Sequence, residues 1–331
     1  MTATLPEEVQ AVFERFVTTE YTTVDSAGQS ITWPVTPYYR RGGAEIDVTT
    51  GLGYPKKADD ASLNPHVALL FSDPTGSGLE NPPAVLVQGT AVVDEADLEH
   101  NRERYSRESV EKLPATKAMY PPKPIQRLFD WYFTRIYVHV RPERVYVWPE
   151  GDFTRDPQLY DSRVEEVRSG HSQEPEVPLP RTVPGPTPWD ERLKELGERF
   201  DTAVLSIVAP DGFPISARVP IELDEAASQI RVKQAPAGIP LAPCRACLTV
   251  HAHDPQFLWQ VNFQVRGNLV QEDGGWAIVP RKLIGGFELP PGSNLQRYRI
   301  NAIVCGSNDL EPRMRLEHHA HAVAQHGMVI G

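Results

Sequence analysis

Cysteine is scarce: Cys244, Cys247 and Cys305 are the only three in 331 residues. An odd, small number builds no disulfide framework and fits a reducing compartment. Positive charge is also short, with 33 Lys and Arg against 44 Asp and Glu and a formal net charge of −11. That balance excludes a general binder of nucleic acid or anionic membrane, since both need surplus cations to meet phosphates. Long apolar runs are missing too, and no stretch approaches the roughly 18 residues of a membrane span. The first residues, MTATLPEEVQAVFERF, are acidic and amphipathic rather than basic and then apolar, unlike a signal peptide. A cytoplasmic protein is the expectation. No Walker A, G-x-S-x-G or H-E-x-x-H sequence occurs, and no G-x-G-x-x-G follows a strand.

Proline, by contrast, is plentiful at 32 residues, and its clearest cluster is EPEVPLPRTVPGPTPW, residues 174–189. Proline removes backbone donors and fixes φ, so this reads as an extended linker. The expected organisation is a domain over 1–150, a Pro-rich linker over 151–188 and a second domain over 189–331. Hydrophobic content of 40% is enough for a core in each.

The two flanks share a plan. Val9, Val12, Phe13, Phe16 and Val17 recur at helical spacing near the start, and PWDERLKELGERF (188–200) is a second short amphipathic helix. Four β-rich runs then follow in the same order on both sides. AGQSITWPV matches DGFPISARV, EIDVTT matches QIRVKQ, HVALLF matches ACLTVH, and LVQGTAVV matches QVRGNLVQ. Shared order with similar gaps indicates an internal duplication. In the first flank, a polar helix over 95–112 and the runs RIYVHV and RVYVW complete the set. Short strands joined by glycine turns predict a mainly β protein with flanking helices (α+β), each half a small six-stranded antiparallel barrel.

The chemistry-bearing stretch is TTGLGYPKKADDASLNPHVALLF, residues 49–71. A strand ending in Thr49 and Thr50 runs into a glycine-containing loop, then Lys56 and Lys57, then a short helix. Hydroxyls, free backbone N–H groups and ammonium charges gathered at a helix start suit a phosphate monoester. The plainer alternative is that the lysines solubilise a turn in an acidic protein.

With these runs in order, the chain resembles the split-barrel flavoproteins, the pyridoxamine 5'-phosphate oxidases and their FMN- and deazaflavin-binding relatives. The resemblance covers residues 5–148 and, more loosely, 189–275. It implies two tandem split barrels forming an intramolecular pseudo-dimer, with room for further homodimerisation. It implies an FMN cofactor, with a deazaflavin coenzyme or haem as alternatives, and a small-molecule substrate. Trp33, Pro34, Val35 and Thr36 fall where the family lays its isoalloxazine edge, and Thr49, Thr50, Lys57 and the adjacent Lys56 fall at its phosphate. Gln88 matches a polar position near the ring or ribityl chain, and Trp148 a site aromatic. Core packing is the alternative for Trp33 and Trp148. Arg266 takes the place of Gln88 in the second copy, where KQAPAGIPLAPCR replaces TTGLGYPKK. One phosphate site per chain is therefore expected, with Arg218, Trp259 or Arg266 offered by the second barrel as a wall.

The functional expectation is a flavin- or deazaflavin-dependent oxidoreductase, and the alternatives are a non-catalytic flavin carrier or sensor and a haem-binding protein. No catalytic acid or base stands out. Cys244-x-x-Cys247 lacks a second ligand pair and reads as two buried thiols. The C-terminal histidines 318, 319, 321 and 326 read as a solvated tail. The aromatic stretch from Tyr120 to Tyr132 is a candidate ligand cap, with core packing as its default.

Overall fold

Helix α1 (Glu7–Arg15) begins with Glu7 and Glu8 and ends with Arg15, charges that complement its macrodipole. Its apolar stripe, Val9, Val12 and Phe13, is fully buried. The computed structural model describes residues 5–120, 130–161, 191–272 and 274–289. After α1 come β1 (Thr19–Val24), β2 (Ser30–Val35), β3 (Ile46–Gly51), α2 (Lys56–Leu63), β4 (His66–Phe71), β5 (Ala84–Asp94) and α3 (Leu98–Lys112). A single helical turn α4 (Asp130–Phe133), β6 (Arg135–Trp148) and β7 (Gln158–Asp161) complete the first half. The second half holds α5 (Glu191–Arg199), β8 (Thr202–Val208), β9 (Pro214–Asp224), β10 (Gln229–Val232), β11 (Cys244–His253), β12 (Gln260–Glu272) and β13 (Gly275–Leu289). Most of the Pro-rich linker and the C-terminal histidines lie outside the described residues. No described helix is long and apolar enough to cross a membrane.

The first sheet runs β2-β1-β4-β5-β6-β3, with β7 added beside β6; the second runs β9-β8-β11-β12-β13-β10. Strand for strand the orders are the same, but only the second closes. There β9 and β10 pair over four residues, Gln229↔Asp224 to Val232↔Ile221, across the short turn 225–228. In the first half β2 stops before Pro37, the connection 36–45 is longer, and β2 and β3 approach only through the bridge Tyr38↔Asp47. The expectation of two six-stranded barrels is corrected to one closed six-stranded barrel and one seven-stranded sheet that stays open between β2 and β3. The runs RIYVHV and RVYVW, read separately in the sequence, form one strand. Pro142 is tolerated there because it lies at a bulge opposite Gly89. The second half repeats the device, with Pro280 opposite Gly267.

Strand β4 and the first half of β5 are buried on both faces, which explains their apolar runs. Val67, Leu69, Phe71, Val85 and Val87 face the first core with α1. Ala68, Leu70, Ala84 and Leu86 turn the other way into the core of the second half. Successive side chains on a strand point to opposite sides, so one sheet serves two cores.

Where the halves meet, four fully buried hydroxyls form a ring: Thr22 and Thr32 from the first half, Ser206 and Ser216 from the second. The distances are Thr22–Thr32 2.9 Å, Thr32–Ser206 2.6 Å, Ser206–Ser216 2.8 Å and Ser216–Thr22 3.0 Å. Each hydroxyl donates once and accepts once, so the ring satisfies all four. Thr249 and Gln264 of the second half also donate to the Thr32 carbonyl, at 2.9 and 2.6 Å. Close by, fully buried Glu20 receives Arg218 at 2.8 Å, His251 at 2.7 Å and Ser72 at 2.8 Å on one carboxylate oxygen. Burial alone would raise its pKa, but His251 and Arg218 hold it below the ordinary value.

The bulge glycines carry a direct test. A Cβ on Gly89 would lie 2.2 Å from the Arg141 carbonyl oxygen, and one on Gly267 2.3 Å from that of Val279. Gly89→Ala and Gly267→Ala should each cost about 2–3 kcal/mol, read as a lower denaturant midpoint. An unchanged midpoint for both would mean that the strands do not pair in this register.

Candidate functional site

The site is assembled by the pairing of β3 with β6. Thr49 lies opposite Tyr137, Thr50 opposite Ile136 and Gly51 opposite Arg135. The loop after β3 is pinned at both ends: Thr50 donates its hydroxyl to the Tyr54 carbonyl at 2.5 Å, and the Tyr54 N–H returns to Gly51 at 2.9 Å. This tight turn starts α2 beside the head of β6 and sets Lys57 near Arg135. Burial, and then the neighbouring Arg135 charge, push the Lys57 pKa down to about 8.

Arg135 is held by tyrosines. Its guanidinium lies 4.3 Å from the ring centre of Tyr105 and 4.7 Å from that of Tyr132, and it donates to the Tyr105 hydroxyl at 3.0 Å. Its Nε is buried and has no hydrogen-bond partner among the described residues. Lys57 forms no hydrogen bond or ion pair with a described residue. The carboxylate that it senses, Asp60, is already bonded to Lys56 at 2.9 Å. Two half-buried cations thus stand at one strand end, neither bonded to an acid among the described residues.

A second shell of contacts holds the tyrosine wall. The Tyr137 hydroxyl donates to Glu108 at 3.0 Å, Arg104 covers the Tyr137 ring at 4.1 Å, and Tyr38 packs at 6.5 Å between ring centres. Arg104 also binds Asp47, which accepts from His139 at 2.7 Å. Glu45, Asp47 and His139 form the only metal-type cluster among the described residues, and its Asp47 is already paired with Arg104.

Thr49 and Thr50 end β3 facing opposite sides of the sheet, with the Thr50 hydroxyl already bonded to the Tyr54 carbonyl, and Lys57 follows on α2 near Arg135. Lys56 is one residue along but exposed and paired with Asp60. Trp33, Pro34, Val35 and Thr36 are half-buried at the end of β2, beside the opening of the first sheet. Gln88 is instead taken up at the seam, donating to the Pro214 carbonyl at 2.8 Å. Trp148 is fully buried, with its indole N–H directed at the Ala237 carbonyl at 3.3 Å. Arg266 bonds Gln264 at 2.6 Å and senses Asp25 and Asp60, which places it across the seam from α2. Cys244 and Cys247 are free, buried thiols. Arg135, Tyr105 and Tyr38 were not singled out from the sequence. The available signal was a basic residue heading RIYVHV, which acquires meaning only once that strand pairs with the one ending in Thr49–Thr50.

Fold and site together describe a β protein of two packed halves with a cationic, tyrosine-walled strand end. No family model matches the chain, and no curated protein matches it. Among solved structures, it is similar to general stress protein 26 from Bacillus anthracis, at 15% identity and a TM-score of 0.32, over 47% of this chain and 96% of that one. A Clostridium acetobutylicum protein related to general stress protein 26, of the pyridoxinephosphate oxidase family, matches at 11% identity and 0.34, over 48% and 94%. The heme storage protein HutZ from Vibrio cholerae matches at 14% and 0.32, over 44% and 94%.

The Lys57 ammonium gives the site a pH signature. An anion favours the charged form, and below about 8 that form is present without cost. Phosphate monoesters are already dianionic there, their second pKa being about 6. Affinity for a phosphate monoester, measured by calorimetry, should therefore weaken as pH rises through about 8. In Lys57→Met it should be weak and flat over the same range. A wild-type affinity that stays constant across that range would remove this ammonium from the site.

Proposed function

We propose that this chain binds FMN, or a deazaflavin coenzyme, by its phosphate at Lys57 and Arg135 and acts as a flavin-type oxidoreductase on a small molecule. The observation that carries the reading is the pair itself: two half-buried cations at one strand end, with a buried, unpartnered guanidinium nitrogen and no carboxylate bonded to either among the described residues. The donor set fits a phosphate monoester. Lys57 supplies a point charge, Arg135 a fixed planar fork, and the start of α2 lies beside both. The tyrosines that clasp Arg135 fix its orientation before a ligand arrives, which lowers the cost of binding. When bound, the cofactor supplies hydride or electron transfer. The part of the protein is then to grip the phosphate, flank the ring with Trp33–Thr36 and exclude water with the second half.

The two halves act in this reading as a tandem pseudo-dimer. Their common strand order, their paired proline–glycine bulges and a hydroxyl ring with two members from each half all support it. The buried, unpaired thiols support a reducing, cytoplasmic setting.

The test is a visible spectrum of the purified protein followed by titration with FMN and with riboflavin. FMN should bind about 30-fold more tightly than riboflavin, equivalent to about 2 kcal/mol, and Lys57→Ala should abolish that difference. Equal affinity for the two flavins would sink the phosphate reading, and a Soret band would replace it with haem. Bleaching of the bound flavin by reduced nicotinamide separates an enzyme from a carrier or sensor.

A further inference from the structure

The second half repeats the strands of the first but not its cation site. Ile46 faces Val140 in one sheet and Ile230 faces Ile278 in the other, so β3 and β10 correspond residue by residue. Thr49 and Thr50 then correspond to Lys233 and Gln234, and Gly53 and Tyr54 to Ala237 and Gly238. Counting back from the matched prolines, Pro142 and Pro280, puts Asp273 in the sequence position of Arg135. Where the first half continues into α2, the second runs through residues 235–243, rich in proline, with no helix before β11.

That loop is covered by the first half of the same chain. The Ala237 N–H donates to the Phe153 carbonyl at 2.8 Å, and the Trp148 indole N–H reaches the Ala237 carbonyl at 3.3 Å. Gly238 has φ +76°, and a Cβ there would lie 2.3 Å from Pro157 Cδ, so the backbone is pressed against that ring. The Phe153 ring lies 5.0 Å from Trp148 and packs on the core of the second half. Glycine at 238 is required twice over, by its dihedral and by its neighbour.

We infer that Phe153–Pro157 is an intramolecular clamp that seals the second half's strand-end position, so that the chain carries one anion site and the second half serves as its wall. The number of sites rests on the flavin reading; the clamp does not. The clamp replaces a ligand by peptide: an amide-to-carbonyl bond and an aromatic ring occupy the strand end at which the first half presents Lys57. It also ties the far end of β6 to the second half.

Two measurements on the full chain test this, calorimetric titration with FMN and hydrogen exchange at the Ala237 amide. One FMN should bind per chain, with all binding weakened about 30-fold in Lys57→Ala. The Ala237 amide should be protected in the wild type and exchange at least about tenfold faster in Phe153→Ala, a variant that leaves the Lys57 site intact. Two equivalent FMN sites, or half of the binding surviving Lys57→Ala, would overturn the single-site inference. Fast exchange of Ala237 in the wild type would overturn the clamp. A protected Ala237 with no FMN bound at all would uphold the clamp and refute the flavin reading instead.

Discussion

Four hydroxyls with no access to water must find each other, and the rest of the architecture depends on that. Each of Thr22, Thr32, Ser206 and Ser216, left alone, would cost about 1–3 kcal/mol of unrecovered desolvation. A slip of either half along the seam would break several of these bonds at once, together with the bonds from Thr249 and Gln264 to the Thr32 carbonyl. The ring contributes specificity more than net stability, because hydrogen bonds in a folded protein mostly replace those made with water. With the halves in register, β2, α2 and Arg266 come to face one another, and an opening in one sheet becomes a place between two.

Charge is distributed across that seam in two contrasting ways. At Glu20 the acids come from the first half and the bases from the second: Glu20 and Asp73 meet Arg218, His251 and His253. That cluster pairs the Glu20 charge with the Arg218 guanidinium and the His251 ring. At Lys57 and Arg135 no such compensation exists among the described residues, and the price appears in the lowered pKa of the lysine. Structure that is unfavourable to the empty protein, supported by an ordered wall of tyrosines and ion pairs, is the usual mark of a site shaped for a ligand.

The two halves share a strand order and differ in their strand-end chemistry. The proline–glycine bulge survives in both because it is a backbone device, in which no side chain fits opposite the partner carbonyl. The strand-end chemistry does not survive, because Thr49 and Thr50 have become Lys233 and Gln234 and α2 has become a loop. The closure between β9 and β10 and the failure of β2 and β3 to close are consequences of local sequence: a short turn in one case, Pro37 and a long connection in the other.

Periodicity and turn residues made most of this fold readable in advance. The runs SITWPV, HVALLF and AVLVQGTAVV are strands because alternation and β-branched content act over a few residues, and their repeated order is the shared strand order of the two sheets. Thr49, Thr50 and Lys57, which the proposed site draws on, were visible for the same reason, being close together in the chain. Arg135, the tyrosine wall and the seam-bound roles of Gln88 and Trp148 were not. Each depends on which distant strand becomes a neighbour: Gly51 meets Arg135 only through β3–β6 pairing, and Gln88 meets Pro214 only when the halves pack. Local sequence determined the elements and half of the proposed anion site; long-range pairing decided the other half, because burial and charge proximity are properties of the assembled sheets.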